Sequence, residues 1–208
     1  RDIVGSKMIL NLNDPCKIGD TSYIKPMKYV GIWWEMHVGK STWDYAGSQN
    51  AQNVDGKPIP TGKHGATTEN TKKYIDFAAK NGFDGVLVEG WNVGWEDWFG
   101  NWKEEVFDFT TPYPDFDIAA ISAYAKEKNV KMIMHHETSA SVANYERHLD
   151  RALDLMKKYD YPAAKTGYVG KIIPRGEFHD GQTMVNHFNF VARRFADNKL
   201  MVNSHESS

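Results

Sequence analysis

The sequence predicts an α/β fold, part of a (β/α)8 TIM barrel with about five βα units, and three observations carry that prediction. Apolar, β-branched runs alternate with helix-period stripes at roughly 30 to 50 residues per unit. Long excursions follow the strands and short connections follow the helices, the arrangement in which a barrel keeps its working loops at the carboxyl edge of its sheet. Four of the runs end on a carboxylate, at Glu35, Glu89, Glu137 and Glu206.

The elements follow in order. Residues 1–27 carry Pro15, Gly19 and Pro26 with weak periodicity and read as an irregular lead-in from a preceding domain. The first strand is the β-branched and aromatic run 28–36, from Lys28 to Met36. From His37 to Ala66 neither period is present, and a structureless stretch of this length inside a domain predicts a functional loop or lid. Thr67-Thr68-Glu69 opens a helix with capping residues, Tyr74, Phe77 and Ala78 give its stripe, and Asn81-Gly82 stops it. Gly85 to Glu89 is the second strand, and 92–114 is a second long excursion, dense in tryptophan. A helix over 117–128 presents Ile118, Ile121 and Ala125 before the third strand, 131–137. A long helix over 142–159 presents Tyr145, Leu149, Ala152, Leu153 and Met156 on one face. A fourth strand over 163–169, a polar loop over 170–181 and a helix with Phe188, Val191, Ala192 and Phe195 lead to the last strand, which reaches Glu206. Five units do not close a barrel, so residues 28–208 read as the N-terminal part of a larger one.

Composition narrows the function. With 41% hydrophobic and 25% charged residues the chain has the make-up of a globular domain. A formal charge of -2 and the lack of a basic stripe argue against a nucleic-acid partner, and no run is long and apolar enough for a membrane span. Cys16 is alone and has no internal disulfide partner. All seven tryptophans fall between Trp33 and Trp102, which concentrates flat rigid surfaces in two excursions and their strands.

The chemistry is read from the strand ends. Alternation puts Lys131, Ile133, His135 and Glu137 on one face and Met132, Met134 and His136 on the other, so His135 and Glu137 point together while His136 packs against helices. Convergent carboxylates are the usual equipment for cleaving a glycosidic bond. The fourth strand breaks the pattern: Lys165 and Gly167 share a face with no terminal carboxylate, and a lysine at that depth should meet a glutamate or a sugar hydroxyl. Trp34, opposite Trp33 and Glu35, is expected in the core. Trp91, Trp95, Trp98 and Trp102 are too crowded for all to be core, and some should line a pocket.

The ordered set Gly31-Ile32-Trp33-Trp34-Glu35, Val88-Glu89-Gly90-Trp91, His135-His136-Glu137, Lys165-Thr166-Gly167 and Asn203-Ser204-His205-Glu206 closely resembles the catalytic barrel of glycoside hydrolase family 97, nearest to its inverting α-glucosidase branch. The resemblance runs from about residue 20 to the end. It implies cleavage of terminal α-glucosidic bonds in starch-derived oligosaccharides, calcium as cofactor and a bacterial periplasmic or secreted location. It also implies partners in the same enzyme: an N-terminal β-sandwich domain and the rest of the barrel. Glu137 and Glu206 match the base positions, with Glu206 also a metal ligand. Glu89, His135, Lys165 and His205 match sugar contacts, and Trp33 and Trp91 are assigned to the sugar with them. Retaining relatives carry an aspartate nucleophile where this chain has Gly167. The general acid and the remaining calcium ligands lie outside this chain, so the isolated piece is expected to be inactive.

Three alternatives stand beside this reading. One is a metal-dependent amide or ester hydrolase using His135, His136, Glu137, His205 and Glu206 as zinc ligands, although no His-x-His pair ends the first strand. The second is an α-galactosidase of the same family. The third is an inactive sugar-binding fragment.

Overall fold

The structure, a computed structural model, describes residues 15–49, 51–54, 57–60, 62–96 and 98–206. Its centre is β5 (Lys131–Glu137), flanked by β4 (Gly85–Val88) and β6 (Ala163–Gly167), with β1 (Tyr29–Ile32) outside β4 and β7 (Met201–Ser204) outside β6. All four pairings are parallel, so every link between neighbours is a crossover that returns the chain to the same edge. The register sets Lys165 beside His135 and Asn203, and Gly167 beside Glu137. Residues 15–28 contribute no helix or strand and are mostly exposed.

Alternation along the strands sorts the side chains as expected. Leu87, Ile133 and Ala163 pack on the inner face with Tyr29, Trp33 and Met201. Val86, Val88, Met132, Met134 and Ala164 join the helices on the other face. There lie α3 (Thr68–Asn81), α4 (Ile118–Glu127), α5 (Val142–Lys158) and α6 (Gln182–Asp197), numbered after two short helices described below. Thr67 caps α3 by accepting from the Asn70 N–H at 3.1 Å, and Gly82 closes it at φ 68°. Asp117 caps α4 through the Ala120 N–H at 2.9 Å. Each cap is worth about 1 kcal/mol. The five buried side chains predicted for α5 are all buried, and at about 1.5–3 kcal/mol for each large one, packing rather than propensity fixes that helix.

Two stripes differ from the sequence reading. On α3 the buried residues are Thr71, Ile75 and Ala78, while Phe77 is 52% exposed. On α6 they are Met184, His187, Val191 and Phe195, with Ala192 exposed, because buried His187 takes the inward position that apolar scoring gives to Phe188. The first strand is also shorter than predicted. It ends at Ile32, and Trp34–His37 turns into a one-turn helix, α1. The aperiodic stretch after it holds α2 (Tyr45–Gln49) and an antiparallel hairpin, β2 (Ala51–Val54) with β3 (Lys57–Pro60). The described residues of the second excursion form no helix or named strand, yet they bury Trp95, Phe107, Phe109 and Tyr113. No helix among the described residues is long and apolar enough to cross a membrane.

Candidate active site

The carboxyl ends of β4 to β7 open into a cleft of about 600 Å³. Its floor is ionisable: Glu89, His135, Glu137, Lys165 and Glu206. Its walls are aromatic, built from Trp33 and Trp34 after β1, Trp43 in the first excursion, and Trp95, Trp98 and Phe99 in the second.

Glu89 follows β4 and is 8% exposed. One carboxylate oxygen lies 3.3 Å from the Lys165 ammonium and 3.6 Å from His135 Nε2, and the other accepts from the Trp43 indole at 3.2 Å. Burial pushes the Glu89 carboxyl up, but the neighbouring charges and the Trp43 and Lys165 hydrogen bonds outweigh it and hold it below the usual range. Burial also holds the His135 imidazole down at about 4. At neutral pH the cation balancing Glu89 is therefore Lys165, which also sits 5.5 Å from the centre of the Trp33 ring. The lysine is paired, as its depth required.

Glu137, at the end of β5, is 4% exposed. Its Oε1 accepts from the backbone N–H of Ser139 at 2.8 Å and of Val169 at 3.1 Å. Burial raises its carboxyl to about 8, against the pull of those two hydrogen bonds and with the help of the negative charges of Glu206 and Glu89. Glu206, just past β7, stands at φ 63°, and its Oε2 accepts from the Tyr168 N–H at 2.9 Å. The end of β6 thus serves both carboxylates: Gly167 leaves room for Glu137, Val169 N–H holds it, and Tyr168 N–H holds Glu206. His205 lies at the rim with a half-exposed side chain, its Nδ1 4.0 Å from Glu206 Oε1.

The structure corrects three sequence assignments. Trp91 does not reach the cleft: it is 1% exposed in the core, and its indole N–H donates to the His135 carbonyl at 2.9 Å. The chain turns at Gly90, φ 83°, and this sends Trp91 under the site instead of into it. Trp34 is 66% exposed on the cleft wall rather than buried, because the strand has already become α1 and alternation no longer applies. For the same reason Glu35 leaves the group of convergent carboxylates. It accepts from Ser41 at 2.6 Å, Asn70 at 3.0 Å and Tyr74 at 2.7 Å, tying the first excursion to α3.

His136 is structural, as read: buried on the helix side, it has Nδ1 2.9 Å from the Tyr145 hydroxyl and rings of Phe109 and Phe195 around it. Trp43, His37 and Phe99 escaped the sequence reading. They lie in aperiodic segments, and only the local density of aromatic residues hinted at them.

The donor chemistry bears on metals. Carboxylate oxygens of Glu137 and Glu206 are hard donors suited to calcium, which takes about six to eight oxygens, and Glu206 keeps one oxygen free of the Tyr168 hydrogen bond. The predicted zinc set is not gathered in one place, because His136 faces the helices. Among the described residues no group of three or more His, Cys, Asp or Glu could hold a metal, calcium included, so further ligands would have to come from outside them.

Comparison with known proteins gives this geometry a family. A family model described as Glycoside hydrolase 97 matches residues 33–208. Two solved structures of a Glycoside Hydrolase Family 97 enzyme from Pseudoalteromonas sp. strain K8, one in complex with acarbose and one, a variant, with panose, are each 48% identical at TM-score 0.83 and cover 99% of this chain. A retaining alpha-galactosidase of Bacteroides thetaiotaomicron is 27% identical over 182 residues, 79% of this chain. The chain spans 30% of the length of those structures and 23% of the galactosidase. Its parallel sheet and helices match a fragment of the family's catalytic barrel. The chain belongs to glycoside hydrolase family 97.

Proposed function

We propose that the complete enzyme removes terminal glucose from starch-derived α-glucosides with inversion at the anomeric carbon. Glu137 and Glu206 act as the base that holds and deprotonates a water. One observation carries the inverting mechanism: the Glu137 carboxylate occupies the space that a side chain at Gly167 would need. A nucleophile there would have to displace the base, whereas glycine leaves Glu137 in place and supplies no side chain to attack the sugar. Inverting pairs stand roughly 6.5 to 9.5 Å apart, retaining pairs about 5 to 5.5 Å.

The remaining parts follow from the floor and walls. Glu89, polarised by Lys165, and neutral His135 accept or donate hydrogen bonds to sugar hydroxyls, with Lys165 and His205 completing the ring of contacts. Trp33 and the other wall aromatics offer flat faces to the apolar side of the sugar. Glu206 would contribute to a calcium site, and calcium, when bound, adds positive charge that polarises the site. The general acid, the other calcium ligands and an N-terminal β-sandwich domain would come from outside residues 1–208, so this chain alone would be inactive. A periplasmic or secreted location belongs to the same reading. The glucoside preference is supported by the panose complex of the 48% identical enzyme, panose being built of α-linked glucose.

The 27% identical relative named as a retaining alpha-galactosidase favours a second reading. Proton NMR of the first product from an α-glucoside, recorded before mutarotation in the complete enzyme, separates the two. Initial β-glucose is expected. Initial α-glucose would overturn inversion, and turnover of α-galactosides alone would overturn the substrate.

A further inference from the structure

We propose that a second cleft, between Trp102 and the loop 170–179, binds an outer sugar unit of an α-glucan chain whose terminal glucose occupies the catalytic cleft. This rests on the α-glucoside reading above and extends it to an outer subsite.

The cleft measures about 630 Å³. Its aromatic surface comes from Trp102, 41% exposed, and Phe178, 71% exposed. Phe99 on the catalytic rim, 75% exposed, lies three residues before Trp102. Single exposed aromatics are ordinary, but three on two touching loops at one end of the sheet leave a larger apolar surface open. The chain passes from the catalytic cleft, lined by Phe99, to the second cleft, lined by Trp102 and Phe178.

Neighbouring stretches of the same two loops line the two clefts. Trp98 and Phe99 line the first and Trp102 the second, while Val169 lines the first and Gly170 the second. The seam between the loops is held in place. Gly170 at φ 109° lies under the Trp102 indole, where an added Cβ would meet Nε1 at 3.4 Å. Trp102 is itself left-handed at φ 42°, an uncommon conformation for a residue with a side chain. Farther along, Ile173 N–H donates to the Ala140 carbonyl at 2.9 Å and the Ile173 carbonyl accepts from Val142 N–H at 3.2 Å. The loop is thereby pinned to the segment after β5, so the cleft exists before a ligand arrives.

The polar groups around the rings identify the occupant. The Lys171 ammonium lies 4.4 Å from the centre of the Trp102 ring, and Arg175, Glu177 and His179 complete the lining. A flat ring edged by donors and an acceptor suits a sugar, which has an apolar C–H face and a rim of hydroxyls. Protein interfaces, by contrast, are depleted in Lys and Glu. A sugar reaching this cleft while its chain end is being cleaved must belong to the leaving-group side.

The test uses the complete enzyme with an aryl α-glucoside and with maltoheptaose, in the wild type, Trp102→Ala and Phe178→Ala. Both variants are expected to keep kcat/KM on the aryl glucoside and to lose about threefold to tenfold on maltoheptaose, chiefly through KM. Phe178, the more exposed ring, covers the case in which Trp102→Ala does not fold. Equal losses on the two substrates, or no loss on either, would overturn the subsite. So would a fall in thermal stability without any dependence on chain length, which would mark the cleft as a contact with another domain. A wild type that cleaves no α-glucoside would defeat the functional reading and the subsite with it.

Discussion

The Glu137 carboxylate rests against the α-carbon of Gly167, one strand away, in the space that any side chain there would fill. Sheet register creates the contact, since β5 and β6 set these two residues side by side. Gly167 is not in the left-handed region, so its role is to leave space rather than to permit a turn. Gly167→Ala should therefore fold normally and still fail in catalysis. A base displaced by about 1 Å costs on the order of 100-fold in rate. The expected result is a loss of that order in kcat with the circular dichroism spectrum unchanged. Unaltered kcat would show that Glu137 is not held where the base must be.

Support for the carboxylates reaches deeper through Tyr168. Its backbone N–H holds Glu206, and its hydroxyl lies 2.9 Å from His187 Nε2, whose Nδ1 lies 2.7 Å from Glu146 Oε1. Burial lowers the His187 pKa, with Glu146 opposing, so the ring is neutral at pH 7; it donates to Glu146 and accepts from the tyrosine. Tyr168→Phe leaves His187 Nε2 buried without a donor, at a cost of about 1–3 kcal/mol. Calorimetry should register that cost, and steady-state kinetics on the complete enzyme should show kcat falling more than KM rises. A stability loss with unchanged kcat would confine the chain to a structural role.

The sequence was most readable where a single physical rule governs a residue. Alternation put His135 and Glu137 on one face and His136 against the helices, and the structure agrees because β5 stays a strand through to Glu137. The same rule failed at the end of β1. Trp34 and Glu35 lie past the point where β1 becomes α1, and nothing in a run of β-formers marks that change. Trp91 was misjudged because a left-handed glycine precedes it, and a glycine's backbone conformation is not written in its identity. Trp43 reaches Glu89 from an excursion without period, so only the tertiary fold could reveal it. His187 was missed for another reason: burial patterns are scored on apolar residues, and a histidine satisfied on both nitrogens behaves as core.

The Lys165–Glu89 pair makes a separable prediction. Both side chains are largely buried, so removing one leaves the other without its counter-charge. Lys165→Met should destabilise the complete enzyme by about 3–5 kcal/mol. Adding Glu89→Gln should restore part of that stability, since the orphaned charge is gone, while activity stays lost. Thermal unfolding of both variants measures the difference. If the double variant is no more stable than the single, the cost does not come from the unpaired carboxylate.

Residues 1–208 expressed alone should associate and should not turn over maltose. Among the described residues, β1 and β7 each pair on one side only, and β7 is largely exposed. Open parallel edges invite pairing with another chain. Light scattering and an activity assay decide it, and a well-behaved monomer with ordinary turnover would contradict the prediction.

The pH dependence follows from Glu137. A base has to be ionised, and burial holds this carboxyl near 8, so the metal-stripped complete enzyme should gain activity as pH rises through about 8. Calcium held by Glu206 would favour the ionised form of a carboxylate nearby and move that limb to lower pH. In Glu206→Gln the calcium-dependent movement should disappear, whereas Glu137→Gln should remove the activity itself. Stability should change in the opposite sense to activity. The folded state binds the Glu137 proton more tightly than the unfolded chain, whose carboxyl sits near 4.5, so this stabilisation is full below that value and is lost as pH rises through about 8. His135, depressed to about 4 from 6.5, works the other way and loses stability as pH falls below 6.5. Between about 4.5 and 6.5 the two slopes oppose each other, and above 6.5 the Glu137 contribution stands without that opposition. The metal-free enzyme should therefore lose Tm between pH 6.5 and 8 while its kcat/KM climbs, and calcium should flatten both trends. A pH–rate profile indifferent to calcium, with its limb near the ordinary carboxylate range, would remove Glu137 from the role of base.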